Sequence, residues 1–173
     1  MCARLGCLGE VTGHSSRPDL LGLVFQELQM ELIRLAVDAG LCVLVWLVQV
    51  IIYPSFLYTD RQKLKEWHAR YTRRITYFIA PLLFLETGII AYQIVFEDLS
   101  FLIDGLFLAI IWSNTFFVAV PIHNAIDRNH NIQQNIRKLI SVNRWRTLAW
   151  SALFLLALGR GIASCSELAT PFQ

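Results

Sequence analysis

Charge is scarce in this chain: 16% of its 173 residues are Asp, Glu, Lys or Arg, against 55% hydrophobic residues and a mean hydropathy of +0.50. A water-soluble domain carries roughly 45 to 50% apolar and about 25% charged residues, so the composition excludes an ordinary soluble fold. The formal net charge of +2 is too small to argue for a polyanion, which removes nucleic acid from the expected partners. Cysteine is sparse as well. Cys2, Cys7, Cys42 and Cys165 form no CxxC pair and show no metal-ligand spacing, so neither a disulfide framework nor a zinc site is expected. GxxxxGK[ST], GxSxG and HExxH are all missing. Phosphate-cradle, serine-hydrolase and zincin mechanisms therefore have no support, although an enzyme without such motifs is not excluded. Residues 1–29 lack the roughly 7 to 15 residue apolar core of a secretory signal. With Gly6, Gly9, Gly13, Ser15, Ser16 and Pro18 they read as a mobile tail or extension, and Met30 is a second candidate start.

What the chain has in abundance is long apolar runs. Four of them, about Ile33 to Tyr53, Ile75 to Phe96, Phe101 to Ile122 and Thr147 to Ala163, each approach the ~20 residues that cross a bilayer core at 1.5 Å per residue. The expected fold class is all-α, a polytopic four-transmembrane-helix bundle over residues 30–166 with a short tail at 167–173, and its first partner is the lipid bilayer. Eleven of the fifteen Lys and Arg fall in two connections, residues 57–74 and 123–146, while the connection around Glu97 to Ser100 has none. Because inward-facing loops collect basic residues, these two loops are expected on the cytoplasmic side and both termini opposite. The second span is expected to extend inward as an amphipathic stretch beginning near Arg61.

Ionisable residues in hydrocarbon usually face a helix bundle or a wet cavity. Glu86 lies midway along the second span and eighteen residues from His68, five whole helical turns, so both project from one face unless Pro81 rotates the register. Glu86 reads either as a helix-packing group or as a gate on a permeation path. Asp38 and Asp104 lie near the outer ends of their spans, where interfacial water is within reach. In the first span Asp38, Cys42, Gln49 and Tyr53 form one stripe with Trp46 beside it, and in the fourth Asn143, Arg146 and Trp150 follow i, i+3, i+7 spacing. Asn114, Pro121, His123 and Asn124 mark the inner end of the third. The basic loops bring His68, His123, Asn143, Arg146 and Gln49 to comparable depth. A guanidinium fork and titratable imidazoles suit an anionic or oxygen-rich ligand. Arg146 between Trp145 and Trp150 also has the composition of an interfacial anchor. Two histidines on different helices match the count of axial haem ligands without a specific spacing, so no metal site is assigned and the cofactor is left unnamed. His14 and His130 read as solvated loop residues.

The segments "VQVIIYPSF", "WHARYTRRITYFIAPLLFLE", "WSNTFFVAVPIHNAI" and "NRWRTLAW" resemble a family of small, mostly bacterial four-helix membrane proteins without established function, over Gln49 to Trp150. The resemblance implies that His68, Glu86, Asn114, Pro121, His123, Asn143, Arg146, Thr147 and Trp150 are the positions of interest. A more remote similarity, carried by the proline and asparagine closing the third span and the Trp and Arg opening the fourth, is to the anthrone-oxygenase-like membrane family. That similarity implies cofactor-independent oxidation of polycyclic phenolics. Three functions are open at this point. One is a small-molecule site at the inner leaflet with His68, His123 and Arg146 as catalytic residues and Gln49, Glu86, Asn114, Asn143 and Trp150 as substrate-binding ones. A second is a small transporter or channel component gated by Glu86. The third is an accessory or assembly subunit, in a homo-oligomer or a larger membrane complex.

Overall fold

In a computed structural model, residues 18–128 and 130–169 are described. Helix α1, Pro18–Leu47, runs through a π-helical turn, Val48–Ile52, into the short α2, Tyr53–Ser55. Helix α3 spans Arg61–Phe96, and a 3-10 turn at Leu99–Phe101 leads into α4, Leu102–Asn114. A second π turn, Thr115–Ala119, joins α4 to α5, Val120–Asp127, and α6, Ile132–Ala169, closes the chain. Four stretches, Leu28–Ser55, Gln62–Phe96, Leu99–Asp127 and Ile132–Ser164, are long and apolar enough to cross a membrane. The protein is thus an all-helical bundle of four spans. Only 22 to 28% of each span's apolar window is buried inside the protein. The remainder, including Val43, Ile51, Phe78, Phe84, Leu106, Phe117 and Leu155, faces outward, and hydrocarbon is the solvent in which such a surface is stable.

Both π turns have the same local cause. Each ends two residues before a proline, Pro54 or Pro121. Proline brings no amide hydrogen, and its ring crowds the carbonyl four residues back. The helix shifts to wider bonds just ahead of it, from the Tyr53 amide to the Val48 carbonyl and from the Val120 amide to the Thr115 carbonyl. By contrast α3 passes through Pro81 without interruption, so His68 and Glu86 both point inward.

The helices are longer than the apolar runs that announce them. Helix α3 begins at Arg61, where the amphipathic extension of the second span was expected, and much of the basic stretch at 123–146, expected as a connection, is helical as well. Asp60 caps α3 by accepting from the Gln62 amide at 2.8 Å, which satisfies an otherwise free donor at the helix start. Asn131 takes a positive φ of 42° in the tight connection before α6, a conformation asparagine tolerates better than most residues. Between α3 and α4, Asp98 accepts from the Ser100 amide at 2.6 Å. That backbone bond, assisted by the Ser100 side chain, holds the Asp98 carboxyl below its usual range. At the other boundary α1 begins at Pro18, inside the segment expected to be a tail, and α6 continues to Ala169. Residues 1–17, with His14, lie outside the described residues.

Along the bundle axis the interior is layered. An apolar cluster of Val37, Leu41, Val45, Leu83, Ile90, Leu108, Ile111, Trp150 and Leu153 fills the middle. A second, with Val48, Tyr53, Phe56, Leu64, Ile122, Ile126, Ile136 and Leu139, fills the end where the basic connections lie. Spans two and three pack tightly at Gly105, where an added Cβ would sit 2.9 Å from Ile94 Cδ1. Because that atom is the tip of a flexible side chain, Gly105→Ala is expected to stay within about 1 kcal/mol of the parent, helped by helix propensity. Gly105→Leu should overpack the contact and lose about 1 to 3 kcal/mol. Unfolding of both variants in detergent checks the contrast.

Candidate functional site

The two sequence histidines meet. His68, from α3, is fully buried, and its Nε2 lies 2.9 Å from Nδ1 of His123 on α5. The rings stack with centroids 5.0 Å apart at 29°, and the Phe56 ring stands edge-on to His68 at 5.5 Å. Beyond the pair the chain of bonds continues in both directions. His68 Nδ1 is 2.6 Å from Asp127 Oδ1, and His123 Nε2 is 3.1 Å from the Tyr53 hydroxyl. The two ends differ in access to solvent: Asp127 keeps 37% of its side chain exposed, whereas Tyr53 is 3% exposed.

With Asp127 ionised, this order offers one route along which a proton can move. An ionised Asp127 accepts from His68 Nδ1, which leaves His68 Nε2 as an acceptor for the His123 Nδ1 hydrogen and His123 Nε2 as an acceptor for the Tyr53 hydroxyl. If the Tyr53 proton passes to His123 Nε2, the His123 Nδ1 proton passes to His68 Nε2. The products are a tyrosinate and a His68 imidazolium beside the Asp127 carboxylate. No proton is gained or lost in the exchange. The Arg146 guanidinium faces the Tyr53 hydroxyl and supplies the positive charge that such an oxyanion needs. All four imidazole nitrogens are engaged by protein groups, so this arrangement leaves no free lone pair for a metal or haem iron. Among the described residues no group of three or more His, Cys, Asp or Glu is placed to hold a metal ion.

The polar residues of the first and fourth spans join the same end. Asn143 is buried, and its Nδ2 donates to Gln49 Oε1 at 2.9 Å and faces the Thr147 hydroxyl at 3.5 Å. Arg146 Nη1 reaches Asn143 Oδ1 at 3.4 Å, and its buried Nε has no partner. Asn114, at the mouth of the second π turn, holds a buried Oδ1 that is likewise unpartnered. Gln49 sits within the first π turn, so both widened turns lie at the depth of this cluster, and such turns recur at functional sites. Trp150 is elsewhere: its ring packs in the middle apolar layer. Cys42 and Trp46 of the first-span stripe also face the fourth span, since the Trp46 indole donates to the Ser151 hydroxyl at 3.1 Å and Cys42 Sγ lies 3.8 Å from it. His130 is exposed on the loop after α5.

Glu86 belongs to a different assembly, at the end where the termini lie. Here Arg34, 2% exposed, donates from Nη1 to Gln93 Oε1 at 2.7 Å and from Nη2 to Asp104 Oδ1 at 2.5 Å. Its Nε stands 3.6 Å from both Asp38 and Glu86. Arg160 holds both oxygens of Asp104, at 2.9 and 2.7 Å, and its guanidinium stacks over the Phe101 ring at 4.4 Å. Asp38 and Asp104, expected at interfacial water, are instead fully buried. The correction has a physical reason: two arginines from the first and fourth spans meet them inside, so the acids have no need to reach solvent.

Sequence reasoning missed Asp127, Arg34, Gln93 and Arg160, and it placed Tyr53 on an inward stripe without giving it a role. Two signals were present. Asp127 follows His123 by one helical turn, and Arg34 precedes Asp38 by one. Comparison of the chain with protein-family models, curated proteins and solved structures finds no match.

Proposed function

We propose that the protein binds a small anionic or oxygen-rich molecule at the basic, inner-leaflet end of its bundle and exchanges a proton with it through His123 and His68. The observation that carries this reading is the unbroken series of three hydrogen bonds from Asp127 to Tyr53, ending beside Arg146. A buried phenol next to an arginine is suited to hold a phenolic, enolic or carboxylic oxygen, and the histidine pair carries the proton away toward the solvent-facing carboxylate. Asn114 Oδ1 and Arg146 Nε, both buried without partners, supply one acceptor and one donor for such a ligand. The similarity to the anthrone-oxygenase-like family points to the same class of oxygen. The concentration of basic residues around this end supports a cytoplasmic orientation for it.

The test is purification of the full chain in mild detergent, followed by mass spectrometry of co-purified small molecules and an absorption spectrum. Arg146→Ala and His123→Ala are expected to lose the retained molecule, tenfold or more in occupancy if each removes about 1.4 kcal/mol of binding, with the folded fraction kept high. A second reading, an accessory subunit whose polar residues lock the bundle, draws support from the mutual satisfaction of the imidazole nitrogens. It gains if both variants misfold in step with the lost binding.

A further inference from the structure

We infer that Asp38 and Glu86 share one bound proton, making the terminal end of the bundle a proton-binding site separate from the histidine relay. Both side chains are fully buried, and all four of their carboxyl oxygens lack a hydrogen-bond donor. The two carboxyls face each other across the first and second spans. Two ionised carboxylates are acceptors only and have nothing to offer one another, whereas one proton between them turns a repulsive contact into a hydrogen bond. The missing donor is therefore the proton itself.

The surrounding groups supply no alternative. Arg34 has committed Nη1 to Gln93 and Nη2 to Asp104, and its Nε reaches both carboxyls only at ion-pair distance. Arg160 is committed to Asp104. The charged groups facing the pair are thus Arg34 on its own helix, Asp104 from the third span and Arg160 from the fourth. Three acids against two arginines leave one negative charge too many, on a helix whose flanking turns carry Leu83 and Ile90 of the apolar layer. A single proton balances the count. Every span contributes a charged group to the cluster, so occupancy of this site is coupled to how all four spans pack.

Infrared spectroscopy of the full chain in lipid tests the assignment. At neutral pH the spectrum is expected to show the C=O stretch of a protonated carboxylic acid that shifts in D2O. That band should move on 13C labelling of the Asp or the Glu carboxyls and be lost at alkaline pH. Glu86→Gln and Asp38→Asn should each remove it while keeping the fold, because an amide hydrogen replaces the proton and the charge count stays balanced. A wild-type spectrum without such a band overturns the inference. So does a band that survives both substitutions, which assigns the proton to Asp104, or one that disappears on adding sodium at constant pH, which makes the site one for a metal cation. If a substituted chain does not fold, the labelled wild-type protein decides alone: a band that neither label moves belongs to neither carboxyl, and the pair holds no proton.

Discussion

Arg34→Met leaves little folded protein. The substitution removes the donors to Gln93 and Asp104 and, among the described residues, the only cation within ion-pair distance of Asp38 and Glu86. The hydrogen bonds are the smaller part of the loss, since polar contacts between membrane helices average only about 0.6 kcal/mol each. The larger part is the unpaired charge left behind. Removing one partner of a buried ion pair costs about 3 to 5 kcal/mol because the other stays uncompensated, a large fraction of a total stability of about 5 to 15 kcal/mol. Arg34→Lys should fall between: the charge remains, but a single ammonium cannot reproduce the planar fork that serves Gln93 and Asp104 together. Adding Glu86→Gln to Arg34→Met should recover part of the deficit by removing one of the stranded acids. Folded fraction in a denaturing-detergent titration ranks the three chains. Wild-type stability in Arg34→Met would mean that the cluster contributes nothing to holding the spans together.

How much of this was legible in the sequence depends on the distance over which each interaction acts. The four spans were legible because an apolar run of bilayer length is a local property. The inward extension of α3 from Arg61, capped by Asp60, was legible as an amphipathic stretch, whereas the helix from Ile132 to Arg146 was not, since that stretch is polar and carries no apolar run. The early start of α1 had a further consequence. With the first span taken to begin near Ile33, Arg34 stands at the very edge of that span. With α1 starting at Pro18, the same residue lies inside a continuous helix and turns into the bundle. At the other end, polar residues closing spans two, three and four were enough to suggest that His68, His123, Asn143 and Arg146 converge. The order of contacts was not visible, because His68 to Asp127 and Tyr53 to His123 are partners 59 and 70 residues apart, and no spacing rule connects different spans.

The second large effect is expected at His68, where two replacements separate shape from charge. His68→Leu keeps an apolar volume against Phe56 but strands the Asp127 carboxylate and the His123 Nδ1 group that now face it. Loss of a charged hydrogen bond and of a buried partner together costs about 2 to 4 kcal/mol, and the relay is cut at its centre, so binding and proton exchange should both disappear. Asp127→Asn is the informative contrast. Its amide oxygen can still accept from His68 Nδ1, and the site is partly exposed, so stability should change by less than about 1 kcal/mol. What it removes is the negative charge that stabilises a His68 imidazolium. In a serine-hydrolase triad the corresponding carboxylate-to-amide change slows catalysis about 10⁴-fold with the geometry intact. The same logic here predicts a folded protein that retains its bound small molecule at least tenfold less than the wild type on purification, read by mass spectrometry. Retention equal to that of the wild type would show that Asp127 does not stabilise charge on His68, and the three bonds would then serve packing alone.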